Sequence, residues 1–368
     1  MHAPQGTLPS LAASADEHTH HPPWPQATAR HGDSQPLVNW TPFDEVQMSV
    51  QGLYQSVQRS LRVRQEQGRQ AQTEWDLRLK TVSFEGDELE PVIRKTELSR
   101  RSNRIMDPAA HIAQLVMELA QSGRFDLAES FLAQYARSSD DFTLYKVIDY
   151  YIAENAFYDA WTTASITPRA KSPTTKPDSI RKEIKTRLQW IDSHLSRRRQ
   201  PALVVMNGLP GTGKSTVAAE VANILKGVRI SSDQIRSRLL ESAPQHLRHS
   251  KQRTYSEGLT ERVYAGLLDR ARPVLQSRRT VILDATYGRR SDRQAGQKLG
   301  SFFGVPTVLI RVECPESIAM QRLRSRLKDA GRTSDAGPLA YARLKEREEP
   351  AREWPREFFL RVSPESKE

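Results

Sequence analysis

Nine consecutive residues, Gly208, Leu209, Pro210, Gly211, Thr212, Gly213, Lys214, Ser215 and Thr216, make a complete G-x-x-x-x-G-K-[ST] run. In such a run the glycines let the backbone curl, so that successive N–H groups converge on a phosphate at the positive end of the helix that follows. Lys214 then places a point charge on the outer phosphates, and the Ser215 hydroxyl is suited to ligate Mg²⁺. The flanks supply the context this motif requires. Residues 202–206 (ALVVM) suit a strand buried on both faces of a parallel sheet, and TVAAEVANILKG reads as a helix closed by Gly227. Nucleotide binding follows.

Two further segments end a strand in an acid. Val228-Arg-Ile-Ser-Ser-Asp233 is followed by Arg236 at i+3, on one helical face if the segment opens a helix. An acid at that strand end faces the crevice where ligands bind in open α/β sheets. There Asp233 can take the proton of an acceptor hydroxyl, worth about 10²–10⁴ in rate, while Arg236 holds an anionic group of the acceptor. The bland alternative, compatible with the first, is that Asp233 caps the helix. Thr280-Val-Ile-Leu-Asp284 supplies the second acid, shaped to bind Mg²⁺ or its water opposite Ser215. Thr286, Arg289, Arg290 and Arg293 follow on an expected loop and helix. After a third strand over residues 307–313 and Cys314-Pro315, Arg322 and Arg326 stand four apart on one helical face. Their planar forks suit phosphate oxygens, so both are candidates to reach the transferred phosphoryl group from a mobile lid. Cys314 has no acid–base partner nearby and reads as structural.

The elements upstream are of a different kind. Residues 1–40 mix Pro, His, Ser, Ala and Gln without apolar periodicity, the signature of a disordered leader, and His18, His20, His21 and His31 read as part of a solvated tail. From Phe43 to about Leu79 apolar residues recur every three or four positions, as in an amphipathic helix. Asp107 reads as an N-cap before Pro108, and a stripe of Ile112, Leu115, Val116 and Leu119 runs until Gly123. Residues 126–137 and 141–163 continue the pattern, so 41–165 is expected to be a helical region of antiparallel helices whose aromatics, Tyr135, Tyr145, Tyr150, Tyr151, Phe157, Tyr158 and Trp161, are core. Residues 166–200 read as a basic linker and a helix closed by Arg197, Arg198 and Arg199, a run expected to be solvated. Residues 201–368 form the phosphate-binding domain. The fold class is therefore α/β, a P-loop NTPase with a parallel sheet flanked by helices, preceded by an all-α region.

The motifs GLPGTGKST, RISSDQIRSRL, TVILDAT, VECPESIAMQRLRSR, Ser334-Asp335-Ala336 and Glu349-Pro350, in this order, resemble the P-loop kinase-type domain known as the AAA-like ATP-binding protein group. That group is similar to polynucleotide 5'-kinases, zeta toxins and chloramphenicol phosphotransferase. The resemblance covers about residues 201–350. It implies ATP with Mg²⁺, in-line transfer, Asp233 as base, Arg236 on the acceptor, and Arg322 or Arg326 as lid residues. It does not imply a hexameric AAA+ motor, because no room remains for the second helical subdomain. Upstream, the segment from Met106 to Trp161 resembles the helical end of an aminoglycoside-phosphotransferase-like domain. Its kinase-like N-lobe is missing, and His31-Gly32-Asp33 departs from a catalytic loop at Gln35 and Asn39, so this half is expected to be a remnant without activity of its own.

The chain has 368 residues, 55 Lys+Arg, 44 Asp+Glu and a net charge of +11. Residues 1–165 hold 15 basic and 22 acidic side chains, 166–200 hold 10 and 3, and 201–368 hold 30 and 19. The surplus thus belongs to the linker and the phosphate-binding domain; Arg236, Arg322 and Arg326 account for only part of it, so a polyanionic acceptor stays open. A nucleic-acid partner stays open but is not favoured, since no aromatic platform interleaves with the arginines. No apolar run approaches a membrane span, no secretory signal opens the chain, and a single cysteine fits a reducing compartment, so a soluble cytoplasmic protein is expected. The leading functional expectation is a kinase acting on an unidentified hydroxyl-bearing acceptor. The rival is a switch that binds and hydrolyses ATP and repositions the helical module.

Overall fold

The computed structural model describes residues 41–73, 77–85, 90–93, 104–166, 177–196, 199–242, 256–326 and 337–363. The leader with His31-Gly32-Asp33, the linker prolines, Arg197, Arg198 and Ser334-Asp335-Ala336 lie outside the described residues.

The N-terminal region is largely helical. Helix α1 (Thr41–Glu66) carries the amphipathic stripe and buries Phe43, Val46, Val50 and Val57. It ends thirteen residues before the expected Leu79, and four short strands, β1 (Ala71–Thr73), β2 (Val82–Glu85), β3 (Glu90–Ile93) and β4 (Arg104–Met106), follow as two antiparallel pairs. These strands correct the all-α expectation for this stretch. Their alternation is too brief, at three or four residues, to stand out from a helical pattern.

Helix α2 (Pro108–Gln121) starts as expected: Asp107 is its N-cap, accepting from the Ala109 N–H at 2.8 Å. The same carboxylate pairs with Arg64 of α1, whose buried guanidinium also grips Asp141 at 2.7 Å. One arginine thus ties α1 to the cap of α2 and to the turn after α3 (Phe125–Ser139). A 3₁₀ turn (Phe142–Lys146) leads into α4 (Ile148–Ile166), and α5 (Pro177–Leu195) completes the module. Tyr145, Tyr150 and Phe157 are fully buried, as core aromatics should be; Tyr135, Tyr151, Tyr158 and Trp161 are half-buried at its margin.

The C-terminal domain is a five-stranded sheet, every strand parallel, in the order β6-β7-β5-β8-β9. Strand β5 (Leu203–Asn207) is central and wholly buried, which its apolar run demands. It feeds α6 (Lys214–Leu225), then β6 (Val228–Ser231), α7 (Ser232–Glu241), α8 (Glu257–Gln276) and β7 (Val281–Asp284). Next come α9 (Arg290–Phe303), β8 (Thr307–Val312), α10 (Glu316–Arg326) and α11 (Pro338–Glu346). The edge strand β9 (Phe359–Val362) has no counterpart in the sequence reading. Two of its four side chains are exposed and none is buried, so it carries no apolar run to announce it.

Module and domain meet along a buried ionic seam. Arg279, 3% exposed, donates to Glu129 at 2.8 Å and to Asp149 at 2.9 and 3.0 Å, with its guanidinium 5.3 Å from the Tyr145 ring centre. Arg199 reaches the same two acids at 3.2 and 3.3 Å, and His194 lies 3.5 Å from Asp149. This corrects the solvated reading of the basic run as far as Arg199 is concerned. No helix of the described residues is long and apolar enough to cross a membrane.

Candidate functional site

The phosphate loop leaves β5 at Asn207 and enters α6 at Lys214 through Gly213, its N-cap. Two glycines are obligatory here. Gly208 has φ +136° and a Cβ would sit 2.4 Å from the Val312 carbonyl oxygen; Gly211 has φ +82° and a Cβ would sit 2.7 Å from that of Ala319. The loop is braced from within, since Thr212 donates its hydroxyl to the Leu209 carbonyl at 2.9 Å and Lys214 Nζ donates to the same oxygen at 3.3 Å. Pro210 is buried beneath it, and Ser215 and Thr216 open the helix on its solvent side.

Asp284 ends β7 beside this helix. Ser215 Oγ donates to Asp284 Oδ1 at 3.3 Å, so the hydroxyl and carboxylate expected to share a metal do stand together. Asp284 is 4% exposed, and burial raises its carboxyl above the ordinary range against the pull of Lys214 and Arg229; Asp233 adds to the rise. Arg229 was not singled out in the sequence. From β6 it donates to the Ser215 carbonyl at 2.8 Å and lies 3.8 Å from Asp284 Oδ2, bracing both members of the pair. A strand arginine flanked by Val228 and Ile230 signals only an exposed edge until β7 is laid beside it.

Asp233 lies inside the first turn of α7, whose N-cap is Ser231. The capping alternative therefore fails on position, although an acid there still favours the helix dipole. Its charge reaches Asp284, which puts both carboxylates at the carboxyl ends of adjacent strands. Arg236, one turn on, is near enough to Tyr264 of α8 to oppose the burial that pushes this phenol up to about 12.

The turn after Asp284 is held from four sides. Asn207 Nδ2 donates to the carbonyls of Thr286 and Tyr287, both at 2.9 Å, and the Gly208 N–H donates to the Thr286 carbonyl at 3.1 Å. Tyr264 Oη accepts from the Tyr287 N–H at 3.0 Å and lies 3.0 Å from Thr286 Oγ1. Arg293, expected on a loop or helix near the site, is fully buried and donates to the carbonyls of Tyr287, Gly288 and Pro350 while pairing with Glu353. It is a strut. Tyr287 sits at φ +43°, a conformation a bulky residue tolerates only when its surroundings impose it. Beside this turn an open cleft of about 780 Å³ has Glu257, Arg289, Arg290 and Glu349 on its walls.

Arg322 of α10 donates to the Gly211 carbonyl at 3.4 Å, so one candidate lid arginine touches the phosphate loop. Arg326 ends the same helix, and its side chain lies outside the described residues. Cys314 packs with Ala319, Leu323 and Tyr341, a structural place.

A glycine loop cradled at the carboxyl ends of a parallel sheet, with a lysine, a serine and a buried aspartate converging on it, defines a P-loop nucleotide-binding fold. Residues 203–351 match the AAA_33 family, described as an AAA domain. An uncharacterized protein of Mycobacterium tuberculosis (strain ATCC 25618 / H37Rv) is 32% identical over 238 residues, 63% of this chain and 45% of that protein. The chain thus spans about half the length of the first curated relatives it matches. The adenylate kinase of Xylella fastidiosa (strain M12) is 26% identical over 143 residues, 38% of this chain and 76% of that enzyme. A crystal structure of a putative kinase from Chloroflexus aurantiacus J-10-fl shares 22% identity at a TM-score of 0.37, covering 45% of this chain and 88% of that one.

Proposed function

We propose that the chain is an ATP-dependent kinase that moves the γ-phosphoryl group to a hydroxyl of a small molecule or of a nucleic-acid end. The observation that carries this reading is the meeting of the phosphate loop with two acids. Ser215 and Asp284 form one pair, 3.3 Å apart, and Asp233 is the second acid within electrostatic reach of it. A site that only binds nucleotide has use for the first pair. A second acid with Arg236 one turn on is what an acceptor hydroxyl requires.

The donors fit Mg²⁺, a hard cation that usually takes one or two protein oxygens and fills its shell with water and phosphate oxygens. A hydroxyl and a carboxylate suffice for that, and the described residues hold no larger metal-ligating cluster. When bound, the ion would neutralise charge on the β- and γ-phosphates. Lys214 would leave the Leu209 carbonyl for the same phosphates, and Arg322 would approach them from Gly211. Asp233 takes the proton as the acceptor oxygen bonds to the γ-phosphorus, the bond to the bridging oxygen breaks, and ADP leaves. The likeness to an adenylate kinase is in keeping with this chemistry.

The test is incubation with γ-labelled ATP and a panel of sugars, nucleosides, aminoglycosides and 5'-hydroxyl oligonucleotides. Label on one acceptor class is expected, lost in Asp233→Asn while ATP affinity is retained. Label released only as free phosphate across the panel would point to the ATP-hydrolysing switch instead.

A further inference from the structure

Helix α7 carries Asp233 and Arg236, yet little apolar surface holds it: of its ten residues only Ile235 is buried. Ile235 packs it against α8 at Gly266, and a polar hold comes from the other module. Arg238 Nη2 donates to the carbonyls of Arg137 and Ser138 at 2.5 and 2.9 Å, and Nη1 lies 3.6 Å from Asp140 Oδ2. Those carbonyls belong to the last turn of α3, where helix geometry leaves oxygens without intrahelical donors and the dipole favours a cation. Asp140 is the C-cap of α3, left-handed at φ +55°, and its N–H closes the helix on the Ala136 carbonyl. With that backbone set, its carboxylate bridges α7 to α8, where Arg270 Nε donates to Oδ1 at 2.7 Å and Nη2 to Oδ2 at 2.5 Å.

We propose that the C-terminus of α3 is a positioning clamp for α7: Arg238, gripped by the Arg137 and Ser138 carbonyls and Asp140, sets where Asp233 and Arg236 stand. The N-terminal module is then part of the machinery and not an appendage, a role that rests on the kinase reading above. Arg238 and Asp140 act through α7 and are positioning residues.

Full-length Arg238→Gln and Asp140→Asn, alone and together, are compared with Arg270→Gln for turnover of Mg-ATP, thermal midpoint and amide hydrogen exchange. A displaced base costs rate even when binding is intact, and misplacement by about 1 Å can cost as much as 10²-fold. Arg238→Gln is expected to lower kcat about tenfold or more, with KM for ATP within about twofold, and to speed exchange in residues 232–241 while β5 is unchanged. Asp140→Asn, which leaves Arg238 its two carbonyls, gives a smaller loss, and the double variant is no worse than Arg238→Gln, because both act on the same clamp. Arg270→Gln, which leaves Arg238 in its grip, lowers the thermal midpoint with kcat retained. Wild-type kcat and α7 exchange in Arg238→Gln would overturn the clamp, as would parallel loosening of β5 and loss of ATP affinity. If Asp233→Asn itself keeps wild-type transfer, the kinase reading falls, while α7 exchange in Arg238→Gln still reports on the clamp.

Discussion

Asp284 is a buried carboxylate and Asp149 a half-buried one, and their surroundings treat them oppositely. Asp149, at the seam between module and domain, meets Arg279 and Arg199, whose charges hold its carboxyl well below the ordinary range against the opposing effect of desolvation. Asp284, at the phosphate loop, feels Lys214 and, at 3.8 Å, Arg229, yet burial prevails and its carboxyl is raised. The seam carboxylate is matched by cations of the chain itself. The site carboxylate is left short of positive charge, the condition in which a cation from solution has something to gain. One region is built to stay closed and the other to receive a ligand, and substitutions can break that contrast in order of size.

The largest effect is expected at Lys214, which carries function and no seam. Lys214→Ala should lower ATP turnover by at least about 10²–10³, the scale of losing one preorganised charge at a reacting phosphate, with the thermal midpoint nearly unchanged. Turnover by labelled-ATP assay and a calorimetric scan check the two halves. Retained turnover would remove the site assignment altogether.

Asp149→Asn is the converse, a stability effect without chemistry. It strips two arginines, one of them 3% exposed, of one of the two acids they share. Breaking a buried pair from one side costs about 3–5 kcal/mol. Because the carboxyl is lowered in the fold, its stabilisation is complete at neutral pH and fades as pH falls toward and below the ordinary value near 3.8. Denaturant melts at pH 7 and in acid should therefore show a large gap between wild type and variant that closes on the acid side. A gap independent of pH would mean that the seam is held by packing and not by charge.

The phosphate loop and β5 were legible in sequence because everything they need is local: nine contiguous residues, a valine run before them, a helix after. Asp284 was legible for the same reason, as the acid ending a strand. The seam was not, because Arg279 lies 150 residues from Glu129 and 130 from Asp149, and no spacing rule pairs charges across such distances. Arg293 illustrates the same limit from the other side. The sequence placed it on a loop and helix after Asp284 without a partner, and only the fold reveals three carbonyls around it. Arg199, read as solvated, has two acids that arrive from another helical layer. Local chemistry is written in order along the chain, whereas the partners of a lone charge are decided by topology.

Asp284→Asn gives the smallest shift in stability and the most specific test of the contrast. An under-matched buried carboxylate destabilises its own fold when ionised, so replacing it by a neutral isostere should raise stability at neutral pH, by about 0.5–2 kcal/mol, while turnover collapses. The sign follows from the raised carboxyl: ionisation is disfavoured in the folded state, the cost is present above the folded value, and it disappears as pH falls below the unfolded one. The variant's advantage should accordingly vanish below about pH 4, where the wild-type carboxyl is protonated in both states. Saturating Mg-ATP should reverse the order, since only wild type can couple ligand binding to stability through this acid. A loss of stability in Asp284→Asn at neutral pH without ligand would show that Arg229 and Lys214 already match the charge, and that the two carboxylates differ less than their surroundings suggest.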